Sequence, residues 1–125
     1  MNTEEMTNLT SSQLLLVVQE ARDSAIHLGL KWAEATKKFK DLRELMPSFL
    51  AEFHMRYRKD FETVTEARTA ALADKKYQEK VEEMNRAEHE ARLLEVEYKA
   101  HIKTLEALSA ISYVRNNELK LARHG

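Results

Sequence analysis

The sequence predicts an all-α protein whose long helices pack as an antiparallel hairpin or bundle with coiled-coil character. Three observations carry that expectation. Two glycines and one proline in 125 residues leave little material for the turns of a sheet protein. Charged residues make up 33% of the chain and hydrophobic ones 43%, a mixture suited to helices with one apolar stripe and a solvated face. Apolar positions also recur at steps of three and four over most of the length, the period of a helix seam.

Taken in order, residues 1–9 are polar and acidic without periodicity and read as a flexible tail. Thr10 and Gln13 have the spacing of a capping box, in which hydroxyl and amide each satisfy a backbone donor at a helix start. Leu14, Val18, Ala21, Ala25, Leu28, Trp32, Ala35, Phe39, Leu42 and Met46 then alternate four and three, which predicts a helix over about 11–46. Gly29 lies off that seam. It costs about 1 kcal/mol relative to Ala, which packing by Leu28 and Trp32 offsets, so the helix is not expected to stop there.

Pro47 removes a backbone donor and clashes with the carbonyl four residues back, so a kink or tight turn is expected. Beyond it Leu50, Phe53, Tyr57, Phe61 and Val64 predict a helix over about 48–68 with an aromatic inner face. Thr63 with Glu66, and Asp74 just before Tyr77, are candidate N-caps, and the interval 65–74 reads equally as a connection or as continued helix. The last helix, about 74–123, carries Tyr77, Val81, Met84, Ala87 and Ala91 into Leu94, Tyr98, Leu105 and Leu108. At 1.5 Å per residue it is on the order of 75 Å long and needs a partner along most of its length. A second row, Leu93, Val96, Ala100, Ala107, Ile111, Val114 and Leu121, widens the apolar arc beyond what one neighbouring helix covers. A homo-oligomer is therefore expected, joined through Tyr98, Leu105, Leu108, Ile111, Val114 and Leu121. The 125 residues are expected to form a single helical domain.

Composition bounds the function. With 20 basic and 21 acidic residues the formal charge is −1, so attraction to nucleic acid or anionic lipid has to be local. Cysteine is absent, which removes thiolate ligands and disulfides and fits a cytoplasmic location. The longest apolar run, Leu14 to Val18, is far short of the roughly 20 residues that span a bilayer, and Glu4 and Glu5 stand where a signal peptide is basic. No membrane partner is expected. Phosphate-binding glycine loops cannot be built from Gly29 and Gly125. Glu97 and His101 share a helix face but make only half a metal site, and no Ser, His and acid set sits at a strained turn. The residues thus predict no metal, no cofactor and no enzyme.

Local charge says more. Lys37, Lys38, Lys40 and Arg43 crowd one stretch, and Arg56, Arg58 and Lys59 interleave with Phe53, Tyr57 and Phe61 in another. Folded back at Pro47, the two runs would lie close together and offer cations for phosphates and rings for bases. The plainer alternative is a solvated face paired with Glu52, Asp60 and Glu62, with Tyr57 and Phe61 in the core. The stretch from Glu79 to Glu97 is strongly acidic, and phosphate is expected to avoid it.

The layout LxxKWxxxxxKFKxLR over Leu28 to Arg43, the basic-aromatic element Arg56-Tyr57-Arg58, and LEVEYKAHIKTLEALSAISYVRNNELKLA over Leu94 to Ala122 together resemble short helical phage proteins of the UvsY type. That resemblance implies a recombination mediator. Such a protein oligomerises through its C-terminal helices, binds single-stranded DNA, and works in the host cytoplasm with a recombinase and a single-strand binding protein as partners. The rival expectation is a coiled-coil adaptor, or a phage inhibitor of a host enzyme, that does not bind DNA and whose acidic middle imitates a nucleic-acid backbone.

Overall fold

A computed structural model describes residues 2–124. They form four α-helices and, among the described residues, no strand: α1 (Thr3–Thr7), α2 (Ser11–Arg58), α3 (Val64–Ala73) and α4 (Lys75–His124). The all-helical class is as expected, and two of the four helices are long. The chain divides into two compact units, one made of the residues up to Lys31 with those from Leu94 onward, the other of Trp32–Leu93. α2 and α4 each contribute to both.

In the first unit, the start of α2 and the end of α4 run antiparallel, since Leu14 packs with Leu108 while Gly29 meets Tyr98 further on. The capping box forms as expected. The Thr10 N–H donates to Gln13 Oε1 at 2.9 Å and the Gln13 N–H donates to Thr10 Oγ1 at 3.2 Å. Met6, Leu14, Val18 and Leu108 are buried, with Leu9, Val17, Ala21, Leu105 and Ile111 packed around them. Leu14 and Leu108 are each 1% exposed, and burying such a side chain contributes about 1.5–3 kcal/mol. Gly29 stays within α2 for a packing reason. A Cβ there would lie 3.2 Å from Tyr98 Cε2, so the missing side chain is what lets the ring approach.

Within the expected tail, of which Met1 lies outside the described residues, Thr3–Thr7 form α1. Asn2 caps α1 by accepting from the Glu5 N–H at 2.8 Å, and Met6 drops into the core. Arg115 on α4 fixes the segment by donating to the carbonyls of Leu9 and Thr7, the latter at 2.9 Å. Five residues carry too little periodicity to announce a helix, and the guanidinium that holds them comes from the far end of the sequence.

The second unit contains the largest departure from expectation. α2 does not end at Met46 but runs through Pro47 to Arg58, so of the kink or tight turn expected at Pro47 the tight turn is absent. Pro47 is exposed. Its ring therefore costs one backbone hydrogen bond but displaces no packed neighbour, while Met46, Phe49, Leu50 and Phe53 hold the helix on the core from the other side. The expected 48–68 helix is accordingly two elements, the end of α2 and the separate α3, joined by residues 59–63. Thr63 caps α3, its hydroxyl accepting from the Glu66 N–H at 3.1 Å. Asp74 ends α3 in extended geometry and starts α4, accepting from the N–H groups of Lys76 at 2.8 Å and Tyr77 at 3.3 Å. Ala67 and Ala71, both fully buried, are small enough to bring α3 close to its neighbours. Phe53 and Tyr77 pack edge to face with centroids 6.1 Å apart. The Tyr57 hydroxyl donates to Asp74 Oδ2 at 2.6 Å and ties the end of α2 to the α3–α4 junction.

Candidate nucleic-acid interface

Continuity of α2 decides where the expected basic residues lie. Lys37, Lys38, Lys40 and Arg43 sit midway along the helix and Arg56 and Arg58 at its end, with Lys59 just beyond. Because the helix does not fold back, the rise from Arg43 to Arg56 separates the two runs by roughly 20 Å. The structure therefore does not gather the seven residues into one patch. All seven are exposed.

Within the first run, Lys37 and Lys38 border a shallow recess with Glu34 and Asp41, so each sign of charge offsets the other. Arg43 lies over the Phe39 ring, 5.2 Å from its centroid. The second run is different. Phe61 is 38% exposed and leans on Tyr57, centroids 6.2 Å apart, with Arg58 and Lys59 nearby in sequence. Phe61 is thus not a core residue. Tyr57 is half-buried, and its hydroxyl is occupied by Asp74. That bond, with the carboxylate's own charge, pushes the Tyr57 phenol up, and the same bond with the Tyr77 and Lys76 N–H groups holds Asp74 below the usual carboxylate range.

A basic concavity in the second unit was not apparent from the sequence. Between the end of α2 and the start of α4 opens a groove of about 580 Å³. One wall is Phe49, Glu52, Phe53 and Arg56, and the facing wall is Lys76, Glu79, Lys80, Glu83 and Arg86. Arg56 lies 5.0 Å over the Phe53 ring and Lys80 lies 5.1 Å over the Phe49 ring. Arg56 pairs with Glu52 at 2.5 Å and Lys80 with Glu83 at 3.9 Å. Of the acids in the groove lining, these pairs leave Glu79 alone unpaired among the described residues, while the charge of Lys76 also acts on Asp74. Lys80 and Arg86 lie in the stretch from Glu79 to Glu97, where sequence reasoning counted them as outnumbered by glutamates, and Lys76 just before that stretch was not singled out. The helical period turns them to the groove, and two of the acids further along α4 are paired locally, Glu88 with Arg92 and Glu95 with Lys99.

The six residues expected to join subunits divide between two faces of α4. Leu108 is buried, Leu105 and Ile111 pack around it, and Tyr98 lies against Gly29, so these four face α2 of the same chain. Val114 and Leu121 point outward, 54% and 73% exposed. Val96, Ala100, Ala107 and Ala110, all exposed, continue their row at steps of three, four and seven residues. Among the described residues no three potential metal ligands converge, and no helix is long and apolar enough to cross a membrane. No protein family, curated protein or solved structure matches the chain.

Proposed function

We propose that the chain is a single-stranded DNA-binding homo-oligomer that serves as a recombination mediator of the UvsY type, loading a recombinase in exchange for a single-strand binding protein. The observation that carries the DNA-binding half is the groove in the second unit that gathers Arg56, Lys76, Lys80 and Arg86, with Arg56 and Lys80 each lying over a ring, together with the exposed Phe61 of the same unit. Cations that track phosphate and a ring available for stacking are the two requirements of sequence-tolerant strand binding. The assembly half is supported by the outward row on α4, Val96, Ala100, Ala107, Ala110, Val114 and Leu121, whose steps of three, four and seven residues suit a helix of a second copy. Small residues in its middle allow close approach.

The reading predicts that a labelled oligonucleotide binds at about 50 mM salt and is released as salt rises, because each neutralised phosphate gives up condensed counterions. Failure to bind at low salt contradicts it. The outward row alone also supports a second reading, a coiled-coil adaptor or phage inhibitor of a host enzyme. That reading predicts a stoichiometric protein partner and no oligonucleotide binding.

A further inference from the structure

We propose that the groove between α2 and α4 is a phosphodiester track, which takes the backbone of the strand and not its bases. This rests on the reading that the chain binds single-stranded DNA, and adds where the strand runs and which part of it is recognised. In the groove cations of two helices face one another, Arg56 across from Lys76, Lys80 and Arg86. Along α4 those three span roughly 15 Å of helical rise, room for several nucleotides. The groove offers no free ring. Phe53 is 7% exposed and lies beneath Arg56, and Phe49 lies beneath Lys80. A base entering would have to displace a cation from each ring, whereas a phosphate meets those cations directly.

The acids of the groove fit this arrangement. Glu52 and Glu83 are held by Arg56 and Lys80, and exposed pairs of this kind contribute little and exchange easily. They keep long side chains extended over the rings until phosphate arrives. Glu79, unpaired among the described residues, opposes the ligand. Base stacking falls to Phe61, beyond the end of α2 and outside the groove lining.

Binding is measured by fluorescence anisotropy with a labelled oligo-dT and an abasic oligonucleotide of equal length, each across a salt series. The wild type binds both. Lys76→Ala with Arg86→Ala, two exposed positions whose loss leaves helicity unchanged, lowers the log–log salt slope by about 1.4 because two phosphate contacts disappear. Glu79→Gln tightens binding on the order of threefold by removing one like charge at a few ångströms in water. Phe61→Ala weakens oligo-dT but not the abasic strand, while Lys37→Ala with Lys38→Ala changes neither. The track is overturned if the wild type binds and the Lys76/Arg86 variant keeps the full slope, if the loss appears only in the Lys37/Lys38 variant, if Glu79→Gln binds no tighter, or if the abasic strand does not bind. A wild type that binds neither strand overturns the DNA-binding reading itself, a result distinct from all of these.

Discussion

Leu108→Ala tests how α4 is oriented. The side chain is 1% exposed among Met6, Leu14 and Val18, with Leu105 and Ile111 around them. Truncation removes about three carbons, or roughly 2.4 kcal/mol of transfer free energy at about 0.8 per methylene. The helices on either side are held along their length by other contacts, so part of the volume stays open and a cavity term adds to the loss. The expected cost is about 3–4 kcal/mol, within the range of buried Leu→Ala changes. Urea denaturation followed by helical circular dichroism, at two protein concentrations tenfold apart, provides the measurement. The midpoint should fall by the same increment at both concentrations with an unchanged slope. A loss below about 1 kcal/mol, or one that grows on dilution as a subunit contact would, refutes the inward placement of Leu108.

Three other perturbations have defined outcomes. Val114→Asp with Leu121→Asp, on the exposed row, should yield smaller particles in analytical ultracentrifugation with helicity intact; unchanged mass would remove that row from the subunit contact. Pro47→Ala should raise stability by about 2–3 kcal/mol, since an exposed proline inside α2 is replaced by the best helix former; a destabilised variant would mean that the chain needs a break there. The Tyr57–Asp74 bond makes stability sensitive to pH in a defined direction. Asp74 is held low and Tyr57 high, so the bond contributes fully between the carboxylate's ordinary value near 4 and the phenol's near 10. The contribution is lost as pH falls through Asp74's lowered folded value, or rises through Tyr57's raised one. Tyr57→Phe should flatten both limbs of a melting-temperature profile, and a profile identical to wild type would show that the bond is not formed in solution.

Local signals were the legible part of this fold. Thr10 with Gln13, Thr63 with Glu66, and Asp74 each carry their capping partner within three residues, so the sequence suffices to find them. The seam of α2 was equally plain up to Met46. Past Met46 the outcome depended on competition between a local rule and packing. Pro47 disfavours helix, yet its ring faces solvent while Phe49, Leu50 and Phe53 hold the same helix on the core, and the packing prevails. For α4 the difficulty was degeneracy. Two rows at helical spacing run side by side, and nothing in their residue types says which one meets α2. Leu105, Leu108 and Ile111 turn inward, and Val114 and Leu121 turn outward. α1 could not be seen because Met6 and Arg115, which anchor it, are brought together only by the fold. Of the candidate site, Arg56 was visible beside its aromatic neighbours. Lys80 and Arg86 were outnumbered in a charge count along the acidic segment, and only the fold shows that they and Lys76 line one groove with Arg56.

The most direct test of a DNA-binding homo-oligomer is the mass in solution, by light scattering on a sizing column, with and without an unlabelled oligo-dT at about 50 mM salt. The chain alone should give a multiple of 14.6 kDa, and the oligonucleotide should co-elute and add its own mass. A 14.6 kDa species in both runs would contradict the account.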